Sequence, residues 1–205
     1  MITTVFFDIG NVLFGFNHAL IWQRLADYTS IPPNEMAQRI RAAQLWPLHE
    51  TGQVGPAPFF RQIAALLNLN DDLSFDLFCT QWADIFAELT PMVNLARALQ
   101  TRYAVGLLSN VGQIHWDWLA QRYPFFHTVS PALRILSFQV GHLKPSRAIY
   151  EYAVQQARAV PSACVYIDDI PEFAAASREF GLHGIHFQTV AQVRDDLRAL
   201  GVRVE

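Results

Sequence analysis

The chain has 205 residues, 52% of them hydrophobic, and a formal net charge of -3 at pH 7, so it can bury one large core, with or without a smaller lobe. The acidic balance and the lack of an arginine-rich stretch argue against nucleic acid as a partner. Asp8 interrupts the first hydrophobic run and no run reaches about 18 apolar residues, so we expect no signal peptide, no membrane-spanning helix and a cytoplasmic location.

The first predicted element is a strand from about Ile2 to Asp8, because this run is rich in β-branched and aromatic residues. A turn-rich stretch from Gly10 to Gly15 follows, and it predicts a tight loop. From His18 to about Leu89, apolar residues recur every three or four positions, which predicts about four helices with no strand between them.

Helices and strands alternate in the second part of the chain, after Thr90 and Pro91. Strands are predicted at residues 103–109, 163–168 and 183–187, with a further short strand within 125–138. Helices are predicted at residues 92–100, 114–121, 145–158 and 171–180, with Pro145 in the first turn of its helix. This alternation is typical of an α/β fold. We therefore predict a Rossmann-like α/β core of residues 1–15 and 90–205, with helices on both faces of a parallel sheet, and an inserted all-helical cap of residues 16–89.

Four polar clusters stand after predicted strands or before a predicted helix: Asp8 to Asn11, Ser109-Asn110, Lys144-Pro145 and Asp168-Asp169. Ligand sites in open α/β sheets gather beyond the carboxyl ends of the strands, so these groups are expected to converge. Two adjacent aspartates repel each other unless a cation or a hydrogen-bond donor compensates their charge. Carboxylates, a hydroxyl, an amide and an ammonium at one sheet edge are suited to holding a divalent cation and a phosphate together.

These motifs, in this order, resemble those of the haloacid dehalogenase superfamily. The similarity is greatest to a branch of small sugar-phosphate phosphatases, including bacterial α-glucose-1-phosphatases, whose first motif also reads Asp-x-Gly-Asn-Val, as at Asp8. The resemblance covers nearly the whole chain, because the helical insertion lies where that family carries its C1-type cap. It implies an Mg²⁺-dependent phosphatase whose partner is a small phosphorylated metabolite, such as a hexose phosphate. A monomer and a homodimer both stay open.

The resemblance also assigns roles to the metal-binding residues. Mg²⁺ prefers hard oxygen ligands, so Asp8 and Asp169 are candidates for two carboxylate ligands. The family pattern adds the main-chain carbonyl of Gly10 as a ligand. It places Asp168 near the ion as a partner of a bound water rather than as a direct ligand.

Phosphate chemistry would use the remaining motifs. Asp8 is the candidate nucleophile, which would form an aspartyl-phosphate that water then hydrolyses. Ser109, Asn110 and nearby backbone N–H groups are the candidates for binding phosphate oxygens. Lys144 is expected to bind phosphate, to neutralise the charge that develops on the phosphoryl group and to restrain Asp8.

Two positions depart from the family pattern. Gly10 stands where many relatives carry a second aspartate that protonates the leaving group, and such acid–base catalysis contributes on the order of 10²–10⁴-fold in rate. Its loss is least harmful for a good leaving group, as in an anomeric sugar phosphate or an acyl phosphate. Phe173 stands where relatives commonly have an asparagine or aspartate that supports the metal, and we expect water or Asp168 to take over.

Histidines are the candidates for the missing proton-transfer group: His18, His49 beside Glu50, and His115. Trp46 and His49 are also predicted to contact the substrate, because residues 46–50 are expected to join two cap helices and to face the core. Trp116 is a further candidate for stacking on a sugar. An aromatic residue in a helix is more often part of a hydrophobic core, and a histidine is often a surface residue.

Four alternative functions stay open at this point. A 2-haloacid dehalogenase uses its aspartate to attack carbon without a metal, and the Asp168-Asp169 pair argues against it by repelling a carboxylate substrate. A phosphomutase fits less well because Gly10 offers no acid–base group. A receiver-type phospho-acceptor module carries its lysine after the acidic pair, whereas Lys144 precedes that pair. A family member that binds metabolites or a partner without turnover is consistent with Gly10 and Phe173.

Overall fold

The computed structural model describes residues 1–204. Its strands, in chain order, are β1 (Thr4–Phe7), β2 (Phe14–Phe16), β3 (Phe86–Glu88), β4 (Ala104–Ser109), β5 (Arg134–Leu136), β6 (Cys164–Asp168) and β7 (His183–His186). Its α-helices are α1 (Ala19–Leu25), α2 (Pro33–Ala42), α3 (Leu45–Glu50), α4 (Pro56–Leu67), α5 (Phe75–Ala83), α6 (Thr90–Leu99), α7 (Gln113–Arg122), α8 (Phe125–Thr128), α9 (Ser137–Val140), α10 (Arg147–Ala157), α11 (Pro171–Phe180) and α12 (Val190–Ala199). None of the helices in this described part of the chain is both long and apolar enough to cross a membrane.

Five strands form one parallel sheet in the order β5-β4-β1-β6-β7. Strand β1 lies at the centre, and all four of its residues are buried because helices cover both faces of the sheet. Val5 and Phe7 pack in one hydrophobic cluster with α6, α7 and α12, whereas Phe6 points to the opposite face and packs with α10. The structure therefore confirms the predicted α/β fold.

Helices α1–α5 lie between β2 and β3 and bury a hydrophobic cluster of their own. Phe59, Phe78 and Trp82 are among its largest members. Ile114 of α7 belongs to the same cluster, so the inserted helices pack against a helix of the α/β core. The division into a core of residues 1–15 and 90–205 and a cap of residues 16–89 stays a prediction, which this separate cluster supports.

The insertion contains five α-helices instead of about four, because residues 45–50 form α3 and are not the linker that the sequence suggested. Gln44, with a left-handed backbone (φ 53°), separates α3 from α2. Pro47 lies in the first turn of α3, where its missing N–H costs no helical hydrogen bond. A helix of six residues is too short for apolar periodicity to reveal.

A two-stranded antiparallel ribbon, β2 and β3, joins the insertion to the core. The sequence predicted only a loop over residues 10–15 and no strand between His18 and Leu89. Helix-like apolar spacing continues as far as Phe86. The segment is a strand because Phe86 pairs with Phe16, which is distant in sequence. The prediction failed here because this strand is created by a non-local contact.

Pro145 lies outside a helix, although the sequence placed it in a first helical turn. Helix α10 begins at Arg147, and the Ser146 side chain caps it by accepting a hydrogen bond from the Ala148 backbone N–H at 3.3 Å. Serine is a strongly preferred N-cap residue, so it fixes the helix start after the proline. Lys144 and Pro145 therefore belong to the loop that leads to the sheet edge.

Close packing between β7 and α11 generates a first prediction about stability. A Cβ atom on Gly184 would overlap the Ala174 carbonyl oxygen and the Ser177 hydroxyl of α11. We expect Gly184→Ala to lower the free energy of unfolding by about 1–3 kcal/mol, as overpacking of a tight core does. Equilibrium denaturation of the variant and the wild type measures this difference.

Gly15→Ala is the matched control, because a Cβ at Gly15 would meet its nearest atoms at ordinary contact distances of 3.9–4.0 Å. We expect it to change the free energy of unfolding by less than about 1 kcal/mol. If both variants lost the same free energy of unfolding, the close approach of α11 to Gly184 would not be the cause of the loss in Gly184→Ala.

Candidate active site

The predicted polar motifs meet at the carboxyl edge of the parallel sheet. Asp8 directly follows β1, Ser109 ends β4 and Asp168 ends β6, and these three strands are neighbours in the sheet. Lys144 reaches the same place from the loop before α10. All four side chains are buried, so the edge is a protected site rather than a solvated loop cluster.

Lys144 is the centre of this arrangement. Its Nζ atom lies 2.9 Å from Asp8 Oδ1 and 2.7 Å from Asp168 Oδ2, and it donates a hydrogen bond to the Tyr166 hydroxyl oxygen at 2.8 Å. An ammonium group has three N–H donors, and here three oxygen atoms surround it. The predicted contact between Lys144 and Asp8 is thus present in the structure.

Asn110 positions the backbone of Lys144. Its Oδ1 atom accepts a hydrogen bond from the Lys144 backbone N–H at 2.8 Å, and its Nδ2 group donates to the Lys144 carbonyl at 3.2 Å. Because its amide is engaged on both sides, the phosphate contact predicted for Asn110 would fall to its backbone N–H. The side chain instead ties the loop after β4 to the loop before α10.

Tyr166 is a site residue that sequence reasoning missed. It precedes Asp168 by two positions in β6, so the two side chains point to the same face of the sheet. Its buried hydroxyl contacts Asp168 Oδ2 and lies 3.2 Å from the Leu108 carbonyl oxygen. A tyrosine two residues before an aspartate in a fully apolar strand was the available signal, since a buried phenol needs a hydrogen-bond partner.

The charges at this edge shift the pKa values of their groups. Burial raises the pKa of Asp8 to about 6, against the opposing effect of Lys144, and the charge of Asp168 adds to the rise. Burial alone would lower the pKa of Lys144, but the carboxylates of Asp8 and Asp168 outweigh it and raise that pKa. Lys144 is therefore an ammonium, and Asp8 is mainly ionised at neutral pH.

Asp8, Asp168 and Asp169 form the candidate metal site. Each offers a carboxylate oxygen, and these oxygens lie within 4.8 Å of one another. Asn11, which has a left-handed backbone (φ 51°), donates a hydrogen bond to Asp169 Oδ2 at 3.0 Å and so orients that carboxylate. Three carboxylates beside one ammonium leave a negative surplus made of hard oxygen atoms, and this donor set fits Mg²⁺.

The three carboxylates are not equally free to bind a cation. Asp168 uses Oδ2 for Lys144 and accepts a hydrogen bond from the Ile170 backbone N–H at Oδ1, 2.8 Å away. Both of its oxygens are thus engaged by the protein, and its indirect role at the metal stays a prediction. Burial raises the pKa of Asp169, and the neighbouring charge of Asp168 raises it further.

Phe173 contacts the charge network despite having no polar group. Its ring centroid lies 5.0 Å from Lys144 Nζ, within the range of a cation–π interaction. Its carbonyl oxygen accepts a hydrogen bond from the Tyr150 hydroxyl at 2.9 Å. The ring therefore stabilises the ammonium, and the expectation that water or Asp168 supports the metal stays a prediction.

The cap encloses a small cavity of about 80 Å³ over this edge. The core contributes Gly10 and Ser109 to its wall, and the insertion contributes Trp46 and Glu50. Trp46 thus faces the core, and its predicted contact with substrate stays a prediction. The Trp46 indole Nε1–H donates a hydrogen bond to Glu50 Oε1 at 2.8 Å, which fixes both side chains over the cavity.

His49 lies between the cap and the core, where a Cβ atom on Gly112, at the start of α7, would overlap its ring, and it does not line this cavity. Its ring stacks on Phe59 with a centroid distance of 4.3 Å, its Nδ1 atom lies 2.9 Å from the Val54 carbonyl oxygen, and it is 3% exposed. The ring faces the core, and the substrate contact predicted for His49 stays a prediction. Consecutive residues of α3 point in different directions, so Glu50 reaches the cavity while His49 packs against Gly112.

The other aromatic and histidine candidates also differ in whether they line the cavity. Trp116 packs in the core against Phe126, with a centroid distance of 5.3 Å, so it is not placed to stack on a sugar. His115 lines the cavity but is buried beside the Trp82 carbonyl oxygen, and burial lowers its pKa to about 3. His18 lines the cavity, is exposed, and lies 4.9 Å from the Trp46 ring.

Gly10 lies where a side chain would meet the ribbon. A Cβ atom at this position would come within 2.8 Å of Phe16 Cε1 in β2. An aspartate at position 10 therefore requires the Phe16 ring to move. The Phe16 ring thus packs against a residue that has neither a side chain nor an acid–base group.

The buried charge pairs generate a prediction about folding. Lys144→Met removes the cation that lies between Asp8 and Asp168, so it leaves buried carboxylates without this partner. We expect the variant to lose about 3–5 kcal/mol of unfolding free energy, the usual cost of breaking a buried ion pair. Denaturant unfolding in EDTA measures the loss without any contribution from a divalent cation.

Arg198→Met is the control, because Arg198 pairs with Asp195 at 2.6 Å but both side chains are exposed. A surface pair of this kind contributes about 0–1 kcal/mol. If Lys144→Met cost no more than Arg198→Met, the buried network would not be an important source of stability.

Known proteins share both the sequence pattern and the fold. D-ribitol-5-phosphate phosphatase of Bacteroides thetaiotaomicron is 21% identical over 98% of each chain. A HAD family enzyme of the same organism, crystallised with magnesium and inorganic phosphate, superposes with a TM-score of 0.75 at 20% identity, over 89% of this chain and 92% of that one. A 2-haloacid dehalogenase from Pseudomonas syringae pv. Tomato DC3000 gives 0.62 at 17% identity, over 97% and 99%.

These structural similarities establish the fold, which the HAD family enzyme and the dehalogenase share. The family itself follows from the sequence profile of the haloacid dehalogenase-like hydrolases, which matches residues 2–181 and thus most of the chain. The matched region includes Asp8, Ser109, Lys144 and the Asp168-Asp169 pair. The chain therefore belongs to the haloacid dehalogenase-like hydrolases.

Proposed function

We propose that this hydrolase is an Mg²⁺-dependent phosphatase, which cleaves a small phosphorylated metabolite through an aspartyl-phosphate on Asp8. The observation that carries the proposal is the cluster of three carboxylates around one buried ammonium, at the sheet edge under the cap cavity. Asp8 would attack phosphorus, and Asp8 and Asp169 would supply carboxylate donors for the cation that such a reaction needs, with Asp168 adding negative charge beside them.

The metal would be held by Asp8, Asp169 and the main-chain carbonyl of Gly10, with Asp168 acting through a water. When bound there, Mg²⁺ neutralises phosphate charge and so lets a carboxylate approach phosphorus. The magnesium and phosphate in the related Bacteroides enzyme support this assignment.

The protein's own residues would position the reacting groups. Lys144 holds Asp8 in place and balances the charge that develops on the phosphoryl oxygens. Ser109, at the end of β4, lines the same cavity and can donate its hydroxyl hydrogen to a phosphate oxygen. Asn110 fixes the backbone of Lys144, so its side chain contributes by positioning rather than by touching substrate.

The substrate would be a small phosphomonoester, such as a hexose or pentitol phosphate. The cavity has room for little more than the reacting phosphate, so the cap would need to open for entry and would exclude water on closing. The Bacteroides relative that acts on D-ribitol-5-phosphate supports a sugar-type substrate. Trp46 offers an aromatic face at the cavity wall.

A 2-haloacid dehalogenase is the competing activity, because dehalogenases share this fold. A carboxylate substrate would have to approach a site whose charge is dominated by Asp8, Asp168 and Asp169. One ammonium compensates only part of that charge. The phosphatase needs the surplus carboxylates for its metal, whereas the dehalogenase has no use for them.

Phosphate release from a panel of phosphomonoesters, with Mg²⁺ and with EDTA, tests the proposal. The panel includes hexose 1- and 6-phosphates, a pentitol phosphate and acetyl phosphate. We expect release that requires Mg²⁺, and we expect Asp8→Asn to abolish it because an amide cannot attack phosphorus. The loss should exceed that of a missing acid–base group, roughly 10²–10⁴-fold.

Asp71→Asn is the matched control, since Asp71 is an exposed residue in the turn between α4 and α5 and does not line the cavity. It should retain wild-type rates. Release that persists in EDTA or in Asp8→Asn would contradict the mechanism. Chloride release from a 2-haloalkanoate without phosphate release from any ester would favour the dehalogenase.

A further inference from the structure

We infer that Glu50 of the cap performs the proton transfers that Gly10 cannot perform, so that the acid–base group of this enzyme comes from the cap and not from the nucleophile loop. The inference rests on the proposed phosphatase function and adds a catalytic residue to it. Glu50 would first donate a proton to the leaving-group oxygen and then accept one from the hydrolytic water.

Glu50 lies in the wall of the cavity over the sheet edge. It is the last residue of α3, and its side chain lines the same cavity as Gly10 and Ser109. The group therefore reaches the site from the cap side, opposite the sheet edge that holds Asp8. A leaving group that points from the phosphate towards the cap would meet this carboxyl group.

The carboxyl group is also held in place. Trp46, one helical turn earlier, donates its indole N–H to Glu50 Oε1 at 2.8 Å. Trp46 is itself fixed by aromatic neighbours, with its ring centroid 5.0 Å from that of Trp82 and 4.9 Å from that of His18. The other carboxyl oxygen, Oε2, is left available to exchange a proton with substrate or water.

No other group at the cavity is as well suited. Phe16 occupies the space into which a side chain at position 10 would extend. His115 is neutral at physiological pH, because burial lowers its pKa to about 3. His49 is buried against Gly112 and does not line the cavity, and the His18 ring packs against the rings of Phe16 and Trp46.

The protonation of Glu50 suits both transfers. Burial raises the pKa of Glu50 to about 7; the hydrogen bond from Trp46 and the charge of Lys144 oppose the rise, and the charge of Asp8 adds to it. An acid–base group is most effective when its pKa lies near the working pH. Within residues 1–204, Glu50 forms no ion pair or hydrogen bond with Asp8, Asp168 or Asp169.

The two half-reactions balance in protons and charge. In the first, an Asp8 oxygen bonds to phosphorus, the bond from phosphorus to the ester oxygen breaks, and Glu50 gives its proton to that oxygen, which leaves as an alcohol. In the second, water oxygen bonds to phosphorus, Glu50 takes a water proton, and the bond from Asp8 to phosphorus breaks. Inorganic phosphate leaves, and Asp8 and Glu50 return to their starting states.

The test compares Glu50→Gln with the wild type on esters that differ only in leaving group. An alkyl phosphate needs a proton donor, whereas p-nitrophenyl phosphate has a leaving group stable as an anion. We expect kcat/KM for alkyl phosphates to fall on the order of 10²–10⁴-fold. With p-nitrophenyl phosphate, the variant should release a rapid burst of p-nitrophenol and then turn over slowly, because only the second step still needs the base.

Glu35→Gln is the control, because Glu35 is a cap residue whose carboxylate pairs with Arg39 on the helix surface. It should behave as the wild type does on both esters. Trp46→Phe provides a second variant, which removes the N–H that holds Glu50. It should lower alkyl phosphate turnover more than the burst with p-nitrophenyl phosphate.

The experiment distinguishes a failure of the proposed function from a failure of the role assigned to Glu50. If the wild type released no phosphate from any ester, the proposed function itself would be wrong. If the wild type were active and Glu50→Gln kept alkyl phosphate rates within threefold, with the leaving-group dependence unchanged, only the role of Glu50 would be overturned. The p-nitrophenol burst reports directly that Glu50→Gln is folded; if that variant did not fold, the alkyl-to-aryl ratio of Trp46→Phe would decide.

Discussion

The site depends on the contacts between the buried ammonium group of Lys144 and the carboxylates of Asp8 and Asp168. Asp8 and Asp168 end neighbouring strands, and their carboxylates would repel each other in the low-dielectric interior without a cation between them. Lys144 is the only lysine among the 205 residues, all other permanent cations being arginines. A compact ammonium can face two carboxylates and the Tyr166 hydroxyl at once, which a planar guanidinium cannot do with the same geometry.

The network around Lys144 also explains the role of several uncharged residues. Asn110 holds its backbone, and the ring of Phe173 lies against its ammonium group. Asp168 is fully engaged by Lys144 and by the Ile170 backbone, which leaves Asp169 as the freer carboxylate for a cation. The same contacts thus stabilise the fold and orient Asp8. They also engage Asp168 more fully than Asp169.

The cap and the core divide the remaining chemistry. The ribbon of β2 and β3 places Phe16 against Gly10, so a second acid at position 10 would have to displace the Phe16 ring. Helix α3 brings Trp46 and Glu50 over the same cavity from the other side. In the proposed mechanism, cap closure therefore does more than exclude water, because it delivers the proton-transfer group to the leaving oxygen.

The sequence allowed the sheet and its polar edge to be predicted, because buried strands and the residues that follow them are local patterns. Strands β1, β4 and β6 and the convergence of Asp8, Ser109 and Asp168 needed no long-range information. Strand β3 exists only through pairing with β2, and α3 is too short to show a period. The contact between Tyr166 and Lys144 and the different neighbours of His49 and Glu50 depend on packing, which one sequence does not reveal.

The proposed mechanism depends on a covalent phosphoryl intermediate on Asp8. The most direct measurement is peptide mass spectrometry on enzyme that is mixed with substrate and Mg²⁺ and quenched rapidly in acid. We expect one phosphoryl group on the peptide that contains Asp8, absent when EDTA is present and absent in Asp8→Asn. Continued turnover with no phosphoryl group on that peptide, under conditions in which an aspartyl-phosphate standard survives the quench, would contradict it.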